Sequence, residues 1–459
     1  MANNLQYGLS ESMNVWLQEA RKTLQLAFPI MLSQVSQNLI QVIDTAMIGR
    51  VGVVPLAAAA FASNMFIVPL VFCYGISSAV SVLAANAFGA GDSKRADRVL
   101  RCGLVVSMVA GLLIALGMQM MRGVLHQLGQ PEAVSIEAEP YFVLLGWSIA
   151  PVLLGSSLKN YSEANSRPWV PFTSMVLLLV LNVFFNWVFI YGHFGAPAMG
   201  LVGAGIGTLL ARCLATLYLA MWIGWGRSWP FHWISRDWLA LRWGDFRNLL
   251  SIGLPSAVQG VSEVSAFMLA SIMIGWLGDA PLAAHQIAIN VASMTFMVTL
   301  GLSFSSTVRI SQKFGQRDYR GVRIVGSGVC LMAVVFMVVC MVGILLLRGW
   351  IPGLFVTDAE VIRLAALYLV LVGMFQVFDG IQVTMIGSLR GMQDVRVPMW
   401  IQIGIYFGVS LPLAYVLAFP LGMEGAGIWT GLLVGLALCA VVSSMRFHVL
   451  TRRHIRMLS

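Results

Sequence analysis

Three acidic residues, Asp44, Glu263 and Asp379, lie alone inside long apolar segments of a 459-residue chain that is 59% hydrophobic and only 10% charged. A carboxyl group near the middle of a bilayer costs roughly 2.5 to 3.5 kcal/mol on insertion scales, so each acid needs a partner, water or a functional role. Burial disfavours the charged form, so such a group either holds a proton at rest or releases it to an incoming cation. The three acids therefore predict a protein that handles cations.

Amide side chains recur in the apolar segments at spacings of three or four residues, most of them on the same helix as one of the acids. Asn182 and Asn186 form a further pair at a spacing of four. Hydrogen bonding between membrane helices would explain part of this pattern. The amide oxygens would also serve, beside a carboxylate, as hard ligands for Na⁺, so H⁺ and Na⁺ both stay open. The supporting amides are Gln34, Gln37, Gln41, Gln259, Gln286, Asn290, Gln376 and Gln382.

The chain as a whole is too apolar for a soluble domain, because its mean hydropathy is +0.84. Apolar runs of about 20 residues, which cross about 30 Å of hydrocarbon, occur twelve times. We therefore predict an all-α polytopic membrane protein with twelve transmembrane helices. The predicted spans are 24–49, 58–87, 97–121, 136–158, 170–191, 201–225, 248–277, 281–310, 325–347, 360–388, 398–418 and 424–446.

Basic residues indicate how the chain is oriented. Most of the 28 Lys and Arg residues fall in alternate connections and at the two ends of the chain. The positive-inside rule then predicts that both termini are cytoplasmic, and the net charge of +9 reflects this orientation. No nucleic-acid partner is expected. Residues 1–23 are polar and carry charges of both signs, so they do not resemble a cleaved signal peptide.

An internal duplication divides the twelve predicted spans into two sets of six. A shift of 226 positions aligns Pro29 with Pro255 and stays in register for about sixty residues. Each proline either bends its helix or lies harmlessly in a first turn. Both sets start from the cytoplasm, so the repeat is parallel. We predict an N-terminal lobe over 1–225, a cytoplasmic interfacial linker rich in Trp and Arg over 226–247, and a C-terminal lobe over 248–459.

The acids do not follow the duplication. Glu263 aligns with Gln37, and Asp44 aligns with Ala270. The second half therefore holds two isolated acids and the first half one. We infer from this difference that the halves have unequal duties.

Several segments resemble a known family. The first span reads I-D-T-A-M-I-G, the fifth L-N-V-F-F-N-W-V-F-I-Y-G, and the tenth F-D-G-I-Q-V-T-M-I-G-S-L-R-G. Over nearly its whole length the chain resembles the multidrug and toxic compound extrusion (MATE) transporters of the NorM type. This resemblance implies a two-lobed, twelve-helix antiporter that expels cationic drugs in exchange for Na⁺ or H⁺.

The resemblance also implies site residues. Glu263 and Asp379 match the family's cation site in the C-terminal lobe, where Na⁺ would bind if it is the coupling ion. The flanking residues of Thr208 differ from the family pattern, so its match is looser. The family's polar cluster in the N-terminal lobe is matched by Asp44, Asn182, Asn186 and Thr208.

The expected partners follow from the same resemblance. We expect small organic cations such as drugs and dyes as substrates, membrane lipid as the surroundings, and a monomer in a bacterial inner membrane. No cofactor is expected beside the coupling ion. None of the four lysines follows a glycine, so the P-loop pattern G-x-x-x-x-G-K of nucleotide-driven proteins is absent.

Two other classes of protein fit the sequence less well. A lipid-linked precursor flippase of the same superfamily would share the architecture but would need a cationic cavity for a pyrophosphate group. Arg212 is the only basic residue that lies away from the ends of a predicted span, which disfavours the flippase. A membrane-embedded enzyme lacks support, because the sequence has no H-E-x-x-H motif and no Cys/His cluster. We therefore predict that the chain is not an enzyme.

Overall fold

The computed structural model describes residues 2–127, 129–225 and 241–457, with side chains described for 16–127, 129–224 and 241–457. All regular elements in this part of the chain are helical. Short 3₁₀ turns follow α3 and precede α11. The helices are α1 (Ala2–Gly49), α2 (Val53–Gly89), α3 (Ser93–Met121), α4 (Glu132–Trp147), α5 (Ile149–Ala164), α6 (Trp169–Tyr191), α7 (Gly200–Trp225), α8 (Trp243–Gly275), α9 (Asp279–Gly315), α10 (Tyr319–Leu347), α11 (Ala359–Gly391), α12 (Arg396–Ile405), α13 (Leu411–Ala418) and α14 (Glu424–Arg456).

Twelve spans are confirmed within the described residues: twelve helical segments are long and apolar enough to cross a membrane. The fourth span consists of α4 and α5, which meet at Ser148. The eleventh consists of α12 and α13, joined by a π-helical turn at Tyr406–Ser410. Such turns interrupt helices at functional sites more often than elsewhere.

Several helices run beyond the predicted boundaries. The fourth span ends at Ala164 and the tenth at Gly391, so Lys159 and Arg390 lie within helices. The predicted boundaries, which left both residues outside the spans, are therefore wrong. The reason is that a helix continues past the end of its apolar stretch. Of the predicted linker, 226–240 lies outside the described residues, and α8 already begins at Trp243.

The two aligned prolines lie well inside their helices. Pro29 is in the interior of α1 and Pro255 in the interior of α8, so the first-turn interpretation is wrong. At these positions a proline removes one backbone hydrogen bond from the helix. Both helices began earlier than the hydrophobic pattern indicated, because their first turns are polar.

The chain forms two compact units. Each unit also contains the first part of the helix that begins the opposite half of the sequence, which is α8 for one unit and α1 for the other. The N-unit is Leu32–Val258, and the C-unit is Met1–Met31 together with Gln259–Ser459. The N-unit has an apolar core around Tyr141, Phe142 and Leu153. The C-unit has one apolar cluster around Tyr368 and Trp429 and a second around Ala27 and Phe447. Ala27 in the second cluster belongs to α1.

In each unit, a glycine lets another helix pack closely against the first part of α1 or α8. In the N-unit, a Cβ atom on Gly75 would clash with the backbone of Ala257. In the C-unit, a Cβ atom on Gly301 would lie 2.8 Å from Cα of Met31. Both pairs are related by the shift of 226 residues. The duplication therefore extends from the sequence to the packing, with small residues allowing close helix contact.

Candidate functional site

In the N-unit, four predicted residues lie together. Asp44 near the end of α1 accepts a 2.6 Å hydrogen bond from Nδ2 of Asn186 on α6. One turn earlier on α6, Asn182 donates to Oγ1 of Thr208 on α7 at 3.3 Å. Nδ2 of Asn186 also lies 3.4 Å from Oδ1 of Asn182. We call these four residues the N-half cluster; it joins three helices through polar side chains.

A glycine makes room for this cluster. Gly207 on α7 lies directly against Asn186, and a Cβ atom at Gly207 would be 2.5 Å from Oδ1 of Asn186. Asn186 is fully buried, and its Oδ1 has no hydrogen-bond partner among the described residues. The close approach of α7 therefore fixes the position of the amide that donates to Asp44.

Arg212 lies one turn after Thr208 on α7. Its NH1 donates to Oγ of Ser148 at 2.5 Å, and its guanidinium carbon lies 5.6 Å from the centre of the Phe66 ring. Its charge also acts on Asp44. Arg212 therefore holds a positive charge against Ser148 and Phe66, one helical turn from Thr208 of the N-half cluster.

The glutamines of α1 do not join the N-half cluster. Gln34 accepts a 3.1 Å hydrogen bond from Nζ of Lys159, and Nε2 of Gln37 donates to Oη of Tyr74 at 2.6 Å. Gln41 is exposed. These glutamines follow one another on α1 at the predicted spacings, but they have different neighbours.

In the C-unit, Glu263 belongs to a hydrogen-bonded chain of side chains. Its Oε2 accepts from Nε2 of Gln402 on α12 at 3.0 Å. Nε2 of Gln402 also lies 3.4 Å from Oη of Tyr406, the first residue of the π-helical turn. Tyr406 in turn accepts a 2.9 Å hydrogen bond from Nε2 of Gln382 on α11. This series of hydrogen bonds therefore connects α8, α11 and the eleventh span.

Asp379 has no such partners. It is 5% exposed, and among the described residues its carboxyl group has neither a hydrogen-bond donor nor a basic group at ion-pair distance. Its charge and that of Glu263 act on each other. A buried carboxylate without a partner is costly, so this group needs a proton or a cation. We call Asp379 and Glu263, with Gln402, Tyr406 and Gln382, the C-half acid site.

Other buried amides in the C-unit have unmatched polar atoms. Oε1 of Gln259 accepts from Arg390 at 3.3 Å, and Oε1 of Gln376 accepts from Oγ1 of Thr295 at 2.7 Å. Within the described residues, Nε2 of Gln259, Nε2 of Gln376 and Oε1 of Gln402 are buried without a hydrogen-bond partner. Such atoms require an explanation, and water or an ion would satisfy them.

The remaining predicted amides are placed differently. Gln286 and Asn290 are exposed on α9. The part of the chain that the structure describes shows no hydrogen bond from either side chain to Glu263 or Asp379. The spacing of four between them is therefore present without a visible link to the acids.

Sequence reasoning missed Gln402, Tyr406 and Arg390. Gln402 and Tyr406 are four residues apart in an apolar span, a signal that was visible but carried no acid. The charge of Arg390 acts on Glu263, and this arginine was assigned to a connection because the tenth span was cut at 388. The sequence pattern marks Arg212 as a basic residue inside a span but does not place it at a site.

Comparison with known proteins identifies the family. The family model described as MatE matches residues 29–188 and 255–416, so it matches once in each half. The chain belongs to the MatE family. Its members are transporters, so the prediction that the chain is not an enzyme is confirmed. The two matches begin 226 residues apart, as the duplication requires.

Curated relatives resemble the chain over nearly its full length. The protein described as "Probable multidrug resistance protein NorM" from Mesorhizobium japonicum is 35% identical over 95% of this chain and 94% of its own length. Its namesake from Rhizobium meliloti is 34% identical over 97% and 96%. The resemblance to NorM-type MATE proteins is thereby confirmed.

Solved structures share the fold. A multidrug resistance MATE family transporter in an outward-facing conformation has a TM-score of 0.88 at 19% identity, covering 95% of this chain and 97% of that one. The Vibrio cholerae MATE transporter VcmN in its bent form has a TM-score of 0.85 at 23% identity, covering 96% and 98%. The MatE chain is therefore a multi-pass membrane protein with the fold of these transporters.

Proposed function

We propose that the protein is a secondary active multidrug efflux antiporter, which exports organic cations in exchange for Na⁺ or H⁺ by alternating access. The observation that carries this proposal is the buried carboxyl group of Asp379, which has no donor or basic partner among the described residues. The names of the curated relatives support the multidrug part of the proposal. Small organic compounds are accordingly the expected substrates.

Charge balance explains how one site couples two solutes. With Glu263 and Asp379 both ionised, the guanidinium of Arg390 offsets only one of the two negative charges. A mobile cation must supply the rest, because an uncompensated charge is unstable in an apolar interior. Binding of one cation removes the attraction for another, so entry of the coupling ion favours release of the organic cation.

Ion gradients supply enough free energy for this exchange. One charge crossing 100 mV releases about 2.3 kcal/mol, and raising a solute concentration tenfold costs about 1.4 kcal/mol. One or two coupling ions therefore sustain a useful outward gradient. No nucleotide is needed.

The residues of the C-half acid site suit either coupling ion. A proton needs only a carboxyl group. Na⁺ needs several oxygen ligands, which the carboxylates of Glu263 and Asp379 and the unpaired Oε1 of Gln402 would provide. A comparison of exchange driven by a Na⁺ gradient with exchange driven by a pH gradient distinguishes the two ions.

The proposed setting is a bacterial inner membrane, with both termini in the cytoplasm and the protein acting as a monomer surrounded by lipid. The positive-inside rule supports this orientation, because basic residues concentrate in alternate connections.

A precursor flippase is a weaker candidate, although Lys159 and Arg390 also lie within helices, as Arg212 does. Each of them has an acid nearby. Lys159 lies 3.9 Å from Glu163, and the charges of Arg390 and Arg212 act on Glu263 and on Asp44. No excess of positive charge is left in these places to bind a pyrophosphate group.

Reconstituted vesicles test the proposed exchange. Vesicles loaded with ethidium receive either a Na⁺ gradient or a pH gradient, and dye movement is followed by fluorescence. We expect one gradient to drive exchange in the parent, and Asp379→Asn and Glu263→Gln to insert normally but lose it. Glu360→Gln, at an exposed acid on the same helix as Asp379, is the matched control and should keep exchange. Unchanged exchange in both site variants would reject the proposal.

A further inference from the structure

A groove runs along α14 in the C-unit, where this helix packs beside α10 and α11. The cavity has a volume of about 630 Å³. It is lined by Arg323 of α10, by Phe378 of α11, and by side chains of α14 between Ala440 and Arg452. We call this cavity the α14 groove. The helix rises about 18 Å from Ala440 to Arg452, so the groove is about as long as one leaflet's share of the hydrocarbon, roughly 15 Å.

One part of the α14 groove is apolar. Phe378, Val441, Met445 and Val449 line it, and the last three recur on α14 at a spacing of four. Val441, Met445 and Val449 are 46%, 62% and 64% exposed. This part of the groove therefore presents a continuous apolar surface to the outside of the C-unit, as a site for a hydrocarbon chain requires.

The other part of the groove is basic. Arg323, His448 and Arg452 line it where α10 begins and α14 ends. Within the described residues, the side chains of Arg323 and Arg452 have neither a hydrogen bond nor an ion pair. The lining residues in this part of the chain include no acid. Two arginines at one groove without a counterion attract an anion.

The neighbouring face of α14 shows how the chain neutralises an arginine in this region. A second cavity, of about 440 Å³, shares Met445 and Val449 with the α14 groove and is lined by Arg446. Arg446 donates to both carboxylate oxygens of Asp394, at 2.5 and 3.0 Å. The charge of Arg446 is therefore balanced by the protein itself, whereas the charges at the α14 groove are left for a ligand.

We propose that the α14 groove binds one molecule of an anionic phospholipid. The phosphate lies between Arg323 and Arg452, and an acyl chain lies along Val441 and Met445. Arginine pairs with phosphate through parallel hydrogen bonds, and basic pockets between membrane helices bind anionic head groups. A free phosphate compound would satisfy the arginines but would leave the apolar surface uncovered. A phospholipid uses both parts of the groove.

Native mass spectrometry tests this site on the full-length protein, purified in detergent and stripped of lipid. Phosphatidylglycerol and phosphatidylcholine with the same acyl chains are titrated separately, and the dissociation constant of the first bound lipid is measured. The parent is compared with Arg323→Gln, Arg452→Gln and the double variant. Arg320→Gln is the matched control, because Arg320 is an exposed arginine on α10 that lies outside the groove lining.

The two arginines should account for the preference for the anionic lipid. One arginine near a membrane surface contributes about fivefold to the affinity for anionic lipid, so the parent should prefer phosphatidylglycerol about thirtyfold. Each single Gln variant should weaken phosphatidylglycerol binding about fivefold, and the double variant should bind both lipids about equally. Phosphatidylcholine binding should not change. Arg320→Gln should stay within about twofold of the parent for both lipids.

Ser444→Phe tests the apolar part of the groove. Ser444 lines the cavity beside Met445, so a phenyl group at this position fills space that an acyl chain needs and removes no charge. Phosphatidylglycerol binding should weaken about tenfold or more. Melting temperatures without lipid show whether each variant is folded, and the exposed Arg452→Gln should melt with the parent.

Equal binding of both lipids by the parent, or unchanged phosphatidylglycerol binding in the double variant, would overturn the proposal. An equal loss in Arg320→Gln would also overturn it, because the attraction would then belong to the basic surface as a whole. Displacement of the lipid by millimolar glycerol 3-phosphate would indicate a phosphate site in which the acyl chain has no part, and would reject the phospholipid as the occupant.

Discussion

The N-half cluster and the C-half acid site use acids in opposite surroundings. Asp44 accepts a hydrogen bond from Asn186 and lies near the positive charge of Arg212. Asp379 is more deeply buried, has no donor among the described residues, and lies near a second acid, Glu263. Asp44 therefore has an opposite charge nearby, whereas the two acids of the C-half acid site share one arginine and need a proton or a cation. A duplicated helical frame has acquired two different electrostatic roles.

Neutralising the two acids should change stability in opposite directions. Asp379→Asn replaces a carboxyl group that must take up a proton or a cation in the apolar interior, so it should raise the free energy of unfolding by about 1 to 3 kcal/mol. Asp44→Asn removes the charged group that accepts a hydrogen bond from Asn186 and should lower the free energy of unfolding by about 1.5 to 3 kcal/mol. Apparent melting temperatures in detergent without Na⁺ measure both. A shift of the same sign in both variants would remove the contrast between the halves.

The N-half cluster should also fail when its helix contact is disturbed. Gly207→Ala places a Cβ atom 2.5 Å from Oδ1 of Asn186 and should cost about 1 to 3 kcal/mol of stability. Gly117→Ala on α3 is the control, since no atom lies within 4 Å of an added Cβ there. Thermal unfolding measures the cost, and equal melting temperatures in the two variants would show that the close contact is unimportant.

The smallest expected effect is a difference in stability between the loss of two helix caps, Asp92 on α3 and Asp318 on α10, which the shift of 226 positions relates. Oδ1 of Asp92 accepts from the backbone of Arg95 at 2.9 Å, and Oδ1 of Asp318 accepts from that of Gly321 at 2.8 Å. Asp318 also accepts a 2.9 Å hydrogen bond from Lys313. Loss of a cap costs about 1 kcal/mol, so Asp318→Ala should cost slightly more than Asp92→Ala.

The Asp318 cap should also depend on pH. Partial burial opposes the charge of Asp318, but its bonds to Lys313 and Gly321 outweigh this and hold its pKa below the usual aspartate value. A lowered pKa means that Asp318 stabilises the folded state at neutral pH. This contribution should fade as the pH falls below about 4. Melting temperatures of the parent and Asp318→Ala should converge there, and a constant difference would contradict the assignment.

Sequence reasoning predicted those parts of the molecule that depend on local pattern. The apolar runs gave the twelve spans, and the self-alignment gave the duplication that the two family-model matches confirm. Asp44, Asn182, Asn186 and Thr208 were named from the sequence, and the structure brings them together. Their convergence follows from helical spacing and from Gly207, which lets α7 approach α6.

Other parts depend on packing between distant segments. The contact of Gln402 with Glu263 joins residues 139 positions apart, and no local pattern indicates it. Tyr406 reaches Gln382 from a π-helical turn, an irregularity that hydrophobic periodicity does not reveal. Arg390 was misplaced because the helix continues past its apolar stretch. Gln286 and Asn290 share a helical face but are exposed, since the spacing of residues does not decide which face is buried.

Equilibrium binding of the coupling ion tests the central contrast most directly. Uptake of radioactive Na⁺ and uptake of protons are measured on purified parent, Asp379→Asn and Asp44→Asn, with no membrane gradient present. The account predicts that the parent takes up one of the two ions, that Asp379→Asn loses this uptake, and that Asp44→Asn retains most of it. Full uptake by Asp379→Asn, or loss confined to Asp44→Asn, would contradict the account.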